Sequence, residues 1–482
     1  MGVLSGLKPE NVFRYFEEIT KIPHGSGNME AISDYVVNEG KKLGCEAWKD
    51  EACNAVILGK ASKGYENAPV VMLQGHLDMV AERLPGSDFD FKKDPLKLFL
   101  EGDLIGAEGT TLGGDDGIAV AMMLAILSDP EILHPALECV FTVDEEIGLI
   151  GASKMDFSFS KAKYLINLDS EEEGCFLVSC SGGGRFDASF PIERKVARGN
   201  LYKINVSSSL GGHSGGEIQK DRPNTNIVMG QLLYDLRALY PDLSLVSFEG
   251  GKFDNAIPVL TVAEAVSADD IDISGFTASY FEEYAGTDSV LTVSLEKLEE
   301  NAVRDAFSDA LLDRVLFYFE QVPNGVIAMN HGFDGVAETS LNLGIVKTCD
   351  NAFTVSHSVR SAIGTKKDRL LHRLTNLANK CGAETDIHGL YPGWNYKRDS
   401  RLRDLMVEIW NRDFAADSRK AEIVATHGGV ECGLILDKCP GLDIVSLGPD
   451  MRDIHTTSER LSIPSVARVY AFLLKVLREM QD

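Results

Sequence analysis

The feature that most constrains the fold of this chain is a short apolar strand that ends in a histidine. Residues 70–73 are Val-Val-Met-Leu, preceded by Pro69 and followed closely by Gly75, which is the pattern of a short buried strand. His76 comes next, and Asp78 lies two residues later, on the same side of an extended chain. A carboxylate in that position can accept the second imidazole N–H and orient the ring as a metal ligand. For this stretch alone, a hydrogen-bonded histidine at a strand end is an equal alternative.

Acidic residues follow two further predicted strands at the same kind of position. The strand predicted at 136–143 runs into Glu145 and Glu146, and the strand predicted at 163–168 runs into Asp169. In an open α/β sheet, ligands bind beyond the carboxyl ends of the strands. The pattern therefore predicts an α/β domain with these carboxylates and the histidine gathered at one edge of its sheet.

Two loops supply further candidates. Residues 106–117 contain too many glycines for regular structure, and they carry Asp115 just before a helix predicted at 118–127. His455 lies in a second loop, after a strand predicted at 442–447. Asp115 lies in a loop just before a predicted helix, and His455 lies in a loop after a predicted strand, so we add both to the candidate site.

Two imidazoles and three carboxylates can hold two divalent ions if one carboxylate bridges them. Mixed nitrogen and oxygen ligation suits zinc best, with manganese and cobalt as alternatives. Two ions roughly 3.5–4 Å apart lower the pKa of a shared water and polarise a carbonyl, which is hydrolytic chemistry. Because Glu145 and Glu146 are adjacent, on a strand they would point to opposite sides, so one can ligate while the other stays free as a general base. The candidate ligands are His76, Asp115, Glu146, Asp169 and His455.

The middle of the chain follows a different pattern. Residues 181–184 are Ser-Gly-Gly-Gly, which indicates a hinge. Beyond them, helices and strands alternate in two successive αββαβ units, which suggests an internal duplication. We therefore predict an α/β catalytic domain, a mixed sheet with helices on both faces, formed by 1–184 and 396–482. An α+β lid domain, 185–395, is inserted between these two parts.

Composition excludes several classes of function. The 47 Lys and Arg against 73 Asp and Glu give a net charge of −26, which would repel phosphate backbones, so nucleic acid is not expected as a partner. The nine cysteines include no C-x-x-C pair, which suits free thiols in a reducing compartment. The N-terminal residues predict an amphipathic helix rather than a signal peptide, and no apolar run reaches membrane-spanning length. We expect a soluble, cytoplasmic protein that does not bind membranes.

Four motifs occur in order and together resemble those of a known enzyme family. They are Gly75-His76-Leu77-Asp78, Gly113-Gly114-Asp115-Asp116-Gly117, Asp144-Glu145-Glu146-Ile147-Gly148 and Asn167-Leu168-Asp169. The set is similar to the metal motifs of the co-catalytic zinc peptidases that include aminoacylase and carboxypeptidase G. It most resembles the cytosolic non-specific dipeptidases, also called aminoacyl-histidine dipeptidases, and the resemblance covers essentially the whole chain.

The resemblance implies how the metal-site residues divide the chemistry. Asp78 orients His76, and Glu145 is the base that activates water. A cis peptide bond is implied between Asp115 and Asp116, and Asp116 stands where dipeptidase relatives often carry asparagine. The resemblance further implies that Asp115 bridges the two ions. His76 and Asp169 complete the ligands of one ion, and Glu146 and His455 complete those of the other.

The resemblance also implies residues that contact the substrate. His213, in a Gly-Gly-His-Ser-Gly sequence, resembles the lid histidine that stabilises the oxyanion. Asn255 and Arg360 match lid residues that bind substrate, and the arginine would pair with the substrate carboxylate. Glu431 matches a substrate-side position able to accept a free amine.

We therefore predict a zinc-dependent dipeptidase for unblocked dipeptides bound between the catalytic domain and the lid. The resemblance implies Xaa-His dipeptides, including β-alanyl-histidine, with broad tolerance. One alternative is an aminoacylase or deacylase on the same scaffold. Another is a non-catalytic metal-binding protein, against which Glu145 argues because a binding module needs no free base. The choice between monomer and homodimer stays open, with a slight preference for the homodimer.

Overall fold

The computed structural model describes residues 2–416 and 419–481, which divide into two compact units. The first, here called the N/C unit, comprises the described residues of 1–179, 396–425 and 430–482. The second, here called the inserted unit, comprises 180–395 and the short segment 426–429. None of the helices in the described part of the chain is long and apolar enough to cross a membrane.

The helices of the described residues are, in chain order, α1 (Glu10–Ile19), α2 (Glu30–Lys42), α3 (Gly114–Ser128), α4 (Ile150–Lys154), α5 (Thr225–Leu239), α6 (Ser274–Glu283), α7 (Asp309–Gln321), α8 (Gly364–Lys380), α9 (Arg401–Asp413), α10 (Cys432–Lys438) and α11 (Ile463–Glu479).

The strands are β1 (Glu46–Lys49), β2 (Ala55–Gly59), β3 (Val71–His76), β4 (Leu98–Glu101), β5 (Leu104–Ala107), β6 (Leu137–Thr142), β7 (Tyr164–Asn167), β8 (Cys175–Leu177), β9 (Gly182–Pro191), β10 (Arg194–Ser208), β11 (Gly212–His213), β12 (Ser244–Gly250), β13 (Ala256–Ile257), β14 (Leu260–Ser267), β15 (Leu291–Phe307), β16 (Gly325–Met329), β17 (Ala337–Thr348), β18 (Ala352–Ser361), β19 (Glu384–Tyr391), β20 (Glu422–Val424), β21 (Asp443–Ser446), β22 (Met451–Arg452) and β23 (Arg460–Ser462).

The N/C unit is built on an eight-stranded mixed sheet in the order β1-β2-β6-β3-β7-β21-β8-β20. Its central strands β6, β3, β7 and β21 are parallel, so their carboxyl ends lie at one edge. Every residue of β3 is buried, as expected for a central parallel strand covered on both faces. Helix α3 is buried over 114–126, which explains why its sequence has no polar face.

A four-stranded sheet in the order β22-β23-β5-β4 joins the C-terminal part of the chain to the strand before the glycine-rich loop. The expectation of irregular structure throughout 106–117 is therefore wrong at its start. Gly106 lies in β5, where a Cβ would come 2.7 Å from the ring of Phe99. At the other end the backbone is irregular as expected, since Asp115 and Asp116 have non-helical dihedral angles within the range of α3. Gly106 thus marks close packing within a strand.

The inserted unit is built on a nine-stranded sheet whose two halves repeat one strand order, although the repeated unit is not the two successive αββαβ units that were predicted. Eight strands follow the order β15-β10-β14-β12-β17-β18-β9-β19, and β16 pairs with β17. From the middle of the sheet outward, each half presents the second, third, first and fourth strands of a βαββαβ unit. One half carries α5 and α6, and the other carries α7 and α8. The predicted fold class, an α/β domain with an inserted α+β domain, is confirmed.

The glycines at the start of the inserted unit lie in regular structure. Residues 182–184, expected in a hinge, begin β9 and pair with β18. A Cβ on Gly183 would lie 2.4 Å from the Tyr391 hydroxyl oxygen, so this glycine permits close packing of a ring.

Candidate active site

The candidate ligands lie where parallel strands of the eight-stranded sheet end. His76 is the last residue of β3, and Asp169 lies two residues after β7. Glu145 and Glu146 follow β6, which ends at Thr142. The two glutamates therefore lie in the turn after the strand, and the expected alternation of side chains along a strand does not apply to them. Because β6, β3 and β7 are parallel neighbours, their ends bring these side chains together.

Asp115 lies between the two candidate histidines. His76 Nε2 is 3.0 Å from Oδ1 of Asp115, and His455 Nε2 is 3.3 Å from Oδ2. Asp169 Oδ1 lies 3.6 Å from His76 Nε2, and Glu146 Oε1 lies 3.0 Å from His455 Nε2. The structure thus brings all five predicted ligands together. One oxygen of Asp115 faces each histidine, which is the arrangement of a bridging carboxylate.

The chemistry of these donors fits divalent cations. Glu146 Oε1 is buried and accepts no hydrogen bond from the residues of 2–416 and 419–481, although His455 Nε2 is 3.0 Å away. Two imidazoles and three carboxylates supply the mixed nitrogen and oxygen ligation that zinc, manganese and cobalt accept. Burying neighbouring carboxylates without cations is costly, and divalent ions would compensate their charge.

The excess of carboxylates also acts on the histidines. Burial lowers the pKa of His76, but hydrogen bonds to the surrounding carboxylates, that of Asp115 first, outweigh it and hold this pKa well above its ordinary value. The neighbouring carboxylates of Asp115 and Glu146, that of Asp115 first, raise the pKa of His455 to about 10. The site therefore attracts positive charge, which protons or metal ions can supply in competition.

Asp78 holds both the first histidine and the turn that carries the glutamates. His76 Nδ1 donates to the backbone carbonyl of Asp78 at 3.0 Å and lies 3.5 Å from its carboxylate. The carboxylate accepts the backbone N–H groups of Glu145 and Glu146 at 3.0 and 3.3 Å and the Ser26 hydroxyl at 2.8 Å. The residue predicted to orient the imidazole thus does so mainly through its carbonyl, while its carboxylate fixes the neighbouring turn.

Glu145 has the surroundings of a general base. One of its carboxylate oxygens lies within 4.8 Å of ligand atoms of His76 and Glu146. Burial raises the pKa of Glu145 well above its ordinary value, and the negative charges of neighbouring carboxylates add to this effect. A buried carboxylate with a raised pKa is suited to taking up a proton near neutral pH.

Asp116 also belongs to this cluster, although sequence reasoning gave it no role. Its Oδ2 accepts the backbone N–H of His76 at 3.1 Å, and it forms a potential ligand group with His76 and Asp169. Burial and the nearby charge of Asp169 raise the pKa of Asp116 well above its ordinary value. A Cβ on Gly75 would lie 2.4 Å from the same Oδ2, which explains that glycine. The Asp115–Asp116 peptide bond is cis.

Gln74, Thr142, Asn167 and Glu431 form a buried, hydrogen-bonded polar layer next to the strand-end residues. Gln74 Nε2 donates to Glu431 Oε2 at 2.6 Å and to Thr142 Oγ1 at 3.1 Å, and its Oε1 accepts from Asn167 Nδ2 at 2.7 Å. Thr142 Oγ1 also donates to Glu431 Oε2, at 2.5 Å. Glu431 Oε1 is buried and accepts no hydrogen bond within the described ranges, and burial raises the pKa of Glu431 to about 7. The polar residues inside otherwise apolar strands were the sequence signal for this layer.

His213 and Asn255 lie close together in the inserted unit. His213 in β11 pairs with Ala256 in β13, and the Asn255 carbonyl accepts the Ser214 N–H at 2.8 Å. Asn342 Nδ2 donates to the carbonyls on either side of Asn255, at 2.8 and 2.9 Å. This asparagine, which sequence reasoning missed, thereby fixes the backbone around both predicted residues.

Arg360 is a buried cation for which the described residues offer no carboxylate partner. Its side chain is 7% exposed, Nη1 donates to the Tyr391 hydroxyl at 3.0 Å, and Nε finds no acceptor. A Cβ on Gly215 would lie 3.2 Å from the guanidinium carbon and 2.8 Å from His213 Cε1, so arginine and histidine flank the same glycine. Burial and the positive charge of Arg360 lower the pKa of His213. A buried unpaired guanidinium favours the binding of an anion.

Similar proteins are found for the full length of the chain. It is 35% identical over 492 residues to the cytosol non-specific dipeptidase of Escherichia coli, covering 100% of this chain and 99% of that protein. The crystal structure of aminoacylhistidine dipeptidase from Vibrio alginolyticus superposes with a TM-score of 0.88 at 32% identity, covering 99% of this chain and 98% of that one. Aminopeptidase PepT from Bacillus cereus shares the fold, with a TM-score of 0.58 at 15% identity over 99% of this chain and 100% of that chain.

The family model described as peptidase family M20/M25/M40 matches residues 72–479. This range contains the four motifs and all five predicted ligands, from the histidine at the end of β3 to the histidine in the loop between β22 and β23. The match therefore confirms the resemblance drawn from those motifs, and the chain belongs to peptidase family M20/M25/M40.

Proposed function

We propose that the protein is a metal-dependent dipeptidase that hydrolyses unblocked dipeptides. The observation that carries this proposal is the position of Asp115, with one carboxylate oxygen facing His76 and the other facing His455. The names of the two relatives with 35% and 32% identity, both dipeptidases, support the substrate class. The name of the Vibrio alginolyticus protein further supports Xaa-His dipeptides, among which we include β-alanyl-histidine, and the word non-specific in the Escherichia coli name supports broad tolerance.

We assign two divalent ions to the five ligands, with zinc first and manganese or cobalt as alternatives. When bound, such a pair of ions lowers the pKa of water and polarises the scissile carbonyl. Asp78 keeps the first histidine and the glutamate turn in place through its four hydrogen bonds. The proposed ligand sets share Asp115 and are completed by His76 and Asp169 for one ion and by Glu146 and His455 for the other.

Two side chains carry the proton and charge transfers of the proposed reaction. Glu145 takes a proton from the attacking water and passes it to the leaving amine. His213 donates a hydrogen bond to the oxygen of the scissile carbonyl as negative charge develops there. Its Nδ1 accepts the Gly215 N–H at 3.2 Å, so the neutral ring carries its proton on Nε2, where it is free to donate.

The substrate is recognised at its two charged ends. Arg360 pairs with the substrate carboxylate, and its lack of a carboxylate partner among the described residues supports this role. Glu431 accepts the free amine through Oε1, because its other oxygen is already held by Gln74 and Thr142. Asn255 contacts the peptide between these ends. We propose that the inserted segment, about 185–395, acts as the lid that carries the arginine and the histidine.

The test is a substrate panel with the metal-loaded protein. Free dipeptides, including several Xaa-His and β-alanyl-histidine, are compared with N-acetyl amino acids. Preferential hydrolysis of free dipeptides is the expected result. Faster hydrolysis of N-acetyl amino acids would favour the aminoacylase alternative, and folded, metal-loaded protein without activity on either class would favour a non-catalytic metal-binding protein. We also propose a cytoplasmic location, and a homodimer that sedimentation equilibrium would test.

A further inference from the structure

Glu459 is a buried carboxylate that neither the motifs nor the proposed reaction uses. Its side chain is 3% exposed. Oε2 accepts the backbone N–H groups of Leu112 and Gly113 at 2.7 and 3.2 Å, and Oε1 accepts that of Gly114 at 2.8 Å. Successive backbone N–H groups that converge on one anion form a nest. Here a side chain of the protein itself is the anion.

The two glycines before Asp115 are explained by this nest. Gly113 has a φ of +68°, in the left-handed region, and a Cβ there would lie 2.9 Å from Met79 Sδ. A Cβ on Gly114 would lie 3.2 Å from Glu459 Oε1. The nest directly precedes Asp115, whose backbone dihedral angles are not helical.

The position of Glu459 in the chain connects two loops of the metal centre. It immediately precedes β23, which pairs with β5 through Leu461 and Ile105, and β5 leads into the glycine-rich loop. The loop between β22 and β23 contains both Glu459 and His455. The three hydrogen bonds therefore tie the loop that ends in Asp115 to the loop that carries His455.

We propose that Glu459 is a positioning residue of the metal centre, which fixes Asp115 relative to His455 so that one carboxylate oxygen faces each histidine. This role rests on the proposed function, since it requires Asp115 and His455 to be ligands. A carboxylate is needed because all three partners are donors. An amide at this position would turn its own N–H₂ group towards at least one backbone N–H.

The variant Glu459→Gln tests this role in metal-free protein titrated with zinc against a competing chelator. Groups that orient metal ligands typically change metal affinity by about 10–100-fold when altered, and we expect a loss in that range. Hydrogen exchange of the amides of 112–114 should become faster in the same variant. The control is Glu138→Gln, because Glu138 is also buried, at 4% exposure, and accepts from Ser160 Oγ and Lys161 N, both at 2.6 Å.

The control separates positioning from general stability. Glu138→Gln should lower the melting temperature while zinc affinity stays at the wild-type value. If Glu459→Gln lowers the melting temperature but binds zinc like wild type, the positioning role is overturned and the residue only stabilises the fold. Glu459→Asp, which keeps the charge, serves if the glutamine variant does not fold, and it should weaken zinc in the same direction. Wild-type protein that binds no zinc would overturn the proposed metal centre itself.

Discussion

The two units bury opposite kinds of uncompensated charge. In the N/C unit, carboxylates gather at the strand ends and draw protons onto both histidines. In the inserted unit, Arg360 is buried and no described carboxylate pairs with it. Buried charges are tolerated only when they are compensated, so one unit is prepared for cations and the other for an anion. A dipeptide and its metal ions would supply both.

The units also differ in how they hold their functional groups. In the N/C unit, backbone strand ends set the positions of the ligands, and buried carboxylates such as Asp78 and Glu459 fix the loops between them. In the inserted unit, His213 stands on a two-residue strand held by backbone pairing and by an asparagine amide. The first arrangement suits metal ligands, which must keep a fixed geometry.

Removal of the metal ions should have the largest effect, because it takes away the compensating charge of the N/C unit. Dialysis against a chelator should abolish dipeptide hydrolysis, and zinc should restore it. Elemental analysis of the restored protein should find two divalent ions per chain. Hydrolysis at an undiminished rate by demonstrably metal-free protein would show that the strand-end carboxylates of the N/C unit do not act through metal ions.

The two adjacent glutamates should separate chemistry from metal binding. Glu145→Ala should keep both ions and lower kcat by about 10²–10⁴ or more, the usual value of general-base assistance. Glu146→Ala should lose metal as well as rate, because its carboxylate faces His455. Metal content and kcat of the two variants are measured side by side. If the first variant loses metal and the second keeps it, the assignment of the pair is reversed.

Substitution of His213 should slow turnover without changing the metal content. His213→Ala should lower kcat by roughly 10²–10³, by analogy with the loss of an oxyanion donor, while metal content stays unchanged. His388→Ala is a matched control, since His388 belongs to the same unit and its side chain is 45% exposed. A change confined to KM would mean that His213 only binds substrate.

The smallest effect is expected for the conservative change at the buried cation. Arg360→Lys keeps the charge but loses the planar pair of donors. Loss of one charged hydrogen bond of about 1.5 kcal/mol should raise KM for a free dipeptide roughly tenfold. With the corresponding dipeptide amides, wild type and variant should behave alike. An equal effect on acid and amide would show that the inserted unit does not recognise the carboxylate.

Local patterns in the sequence were enough to predict which polar side chains lie at the strand ends. The apolar runs before His76 and Asp169 identify their strands, and the position of each polar residue at a strand end follows from the run itself. The family could be predicted for the same reason, since its motifs are short and contiguous, and the family match confirms it. The predicted alternation of the Glu145 and Glu146 side chains was wrong because β6 ends before them. The residue at which a strand ends is harder to predict from local sequence than the strand itself.

Features that depend on distant partners escaped prediction. Gly183 looked like part of a hinge because its reason for being glycine, the ring of Tyr391, lies far along the chain. The sequence did not single out Glu459, because its partners are backbone groups of another loop. Gln74 and Asn167 received no role from the sequence, and only the structure pairs them with each other. The side chains that support the site were therefore harder to predict than the ligands.

The strand order of the nine-stranded sheet limits how the inserted unit can form during synthesis. Strands β10, β12, β14 and β15 come from one continuous stretch, 194–307, and can pair as soon as that stretch is made. The other half takes β9 from before this stretch and its remaining strands from after it. β9 must therefore wait for β18 and β19 while its neighbours in sequence fold, and pairing over such separations is slow. During that interval β9 is an unpaired strand open to aggregation, and a chain cut between the halves would leave the second half without its first strand.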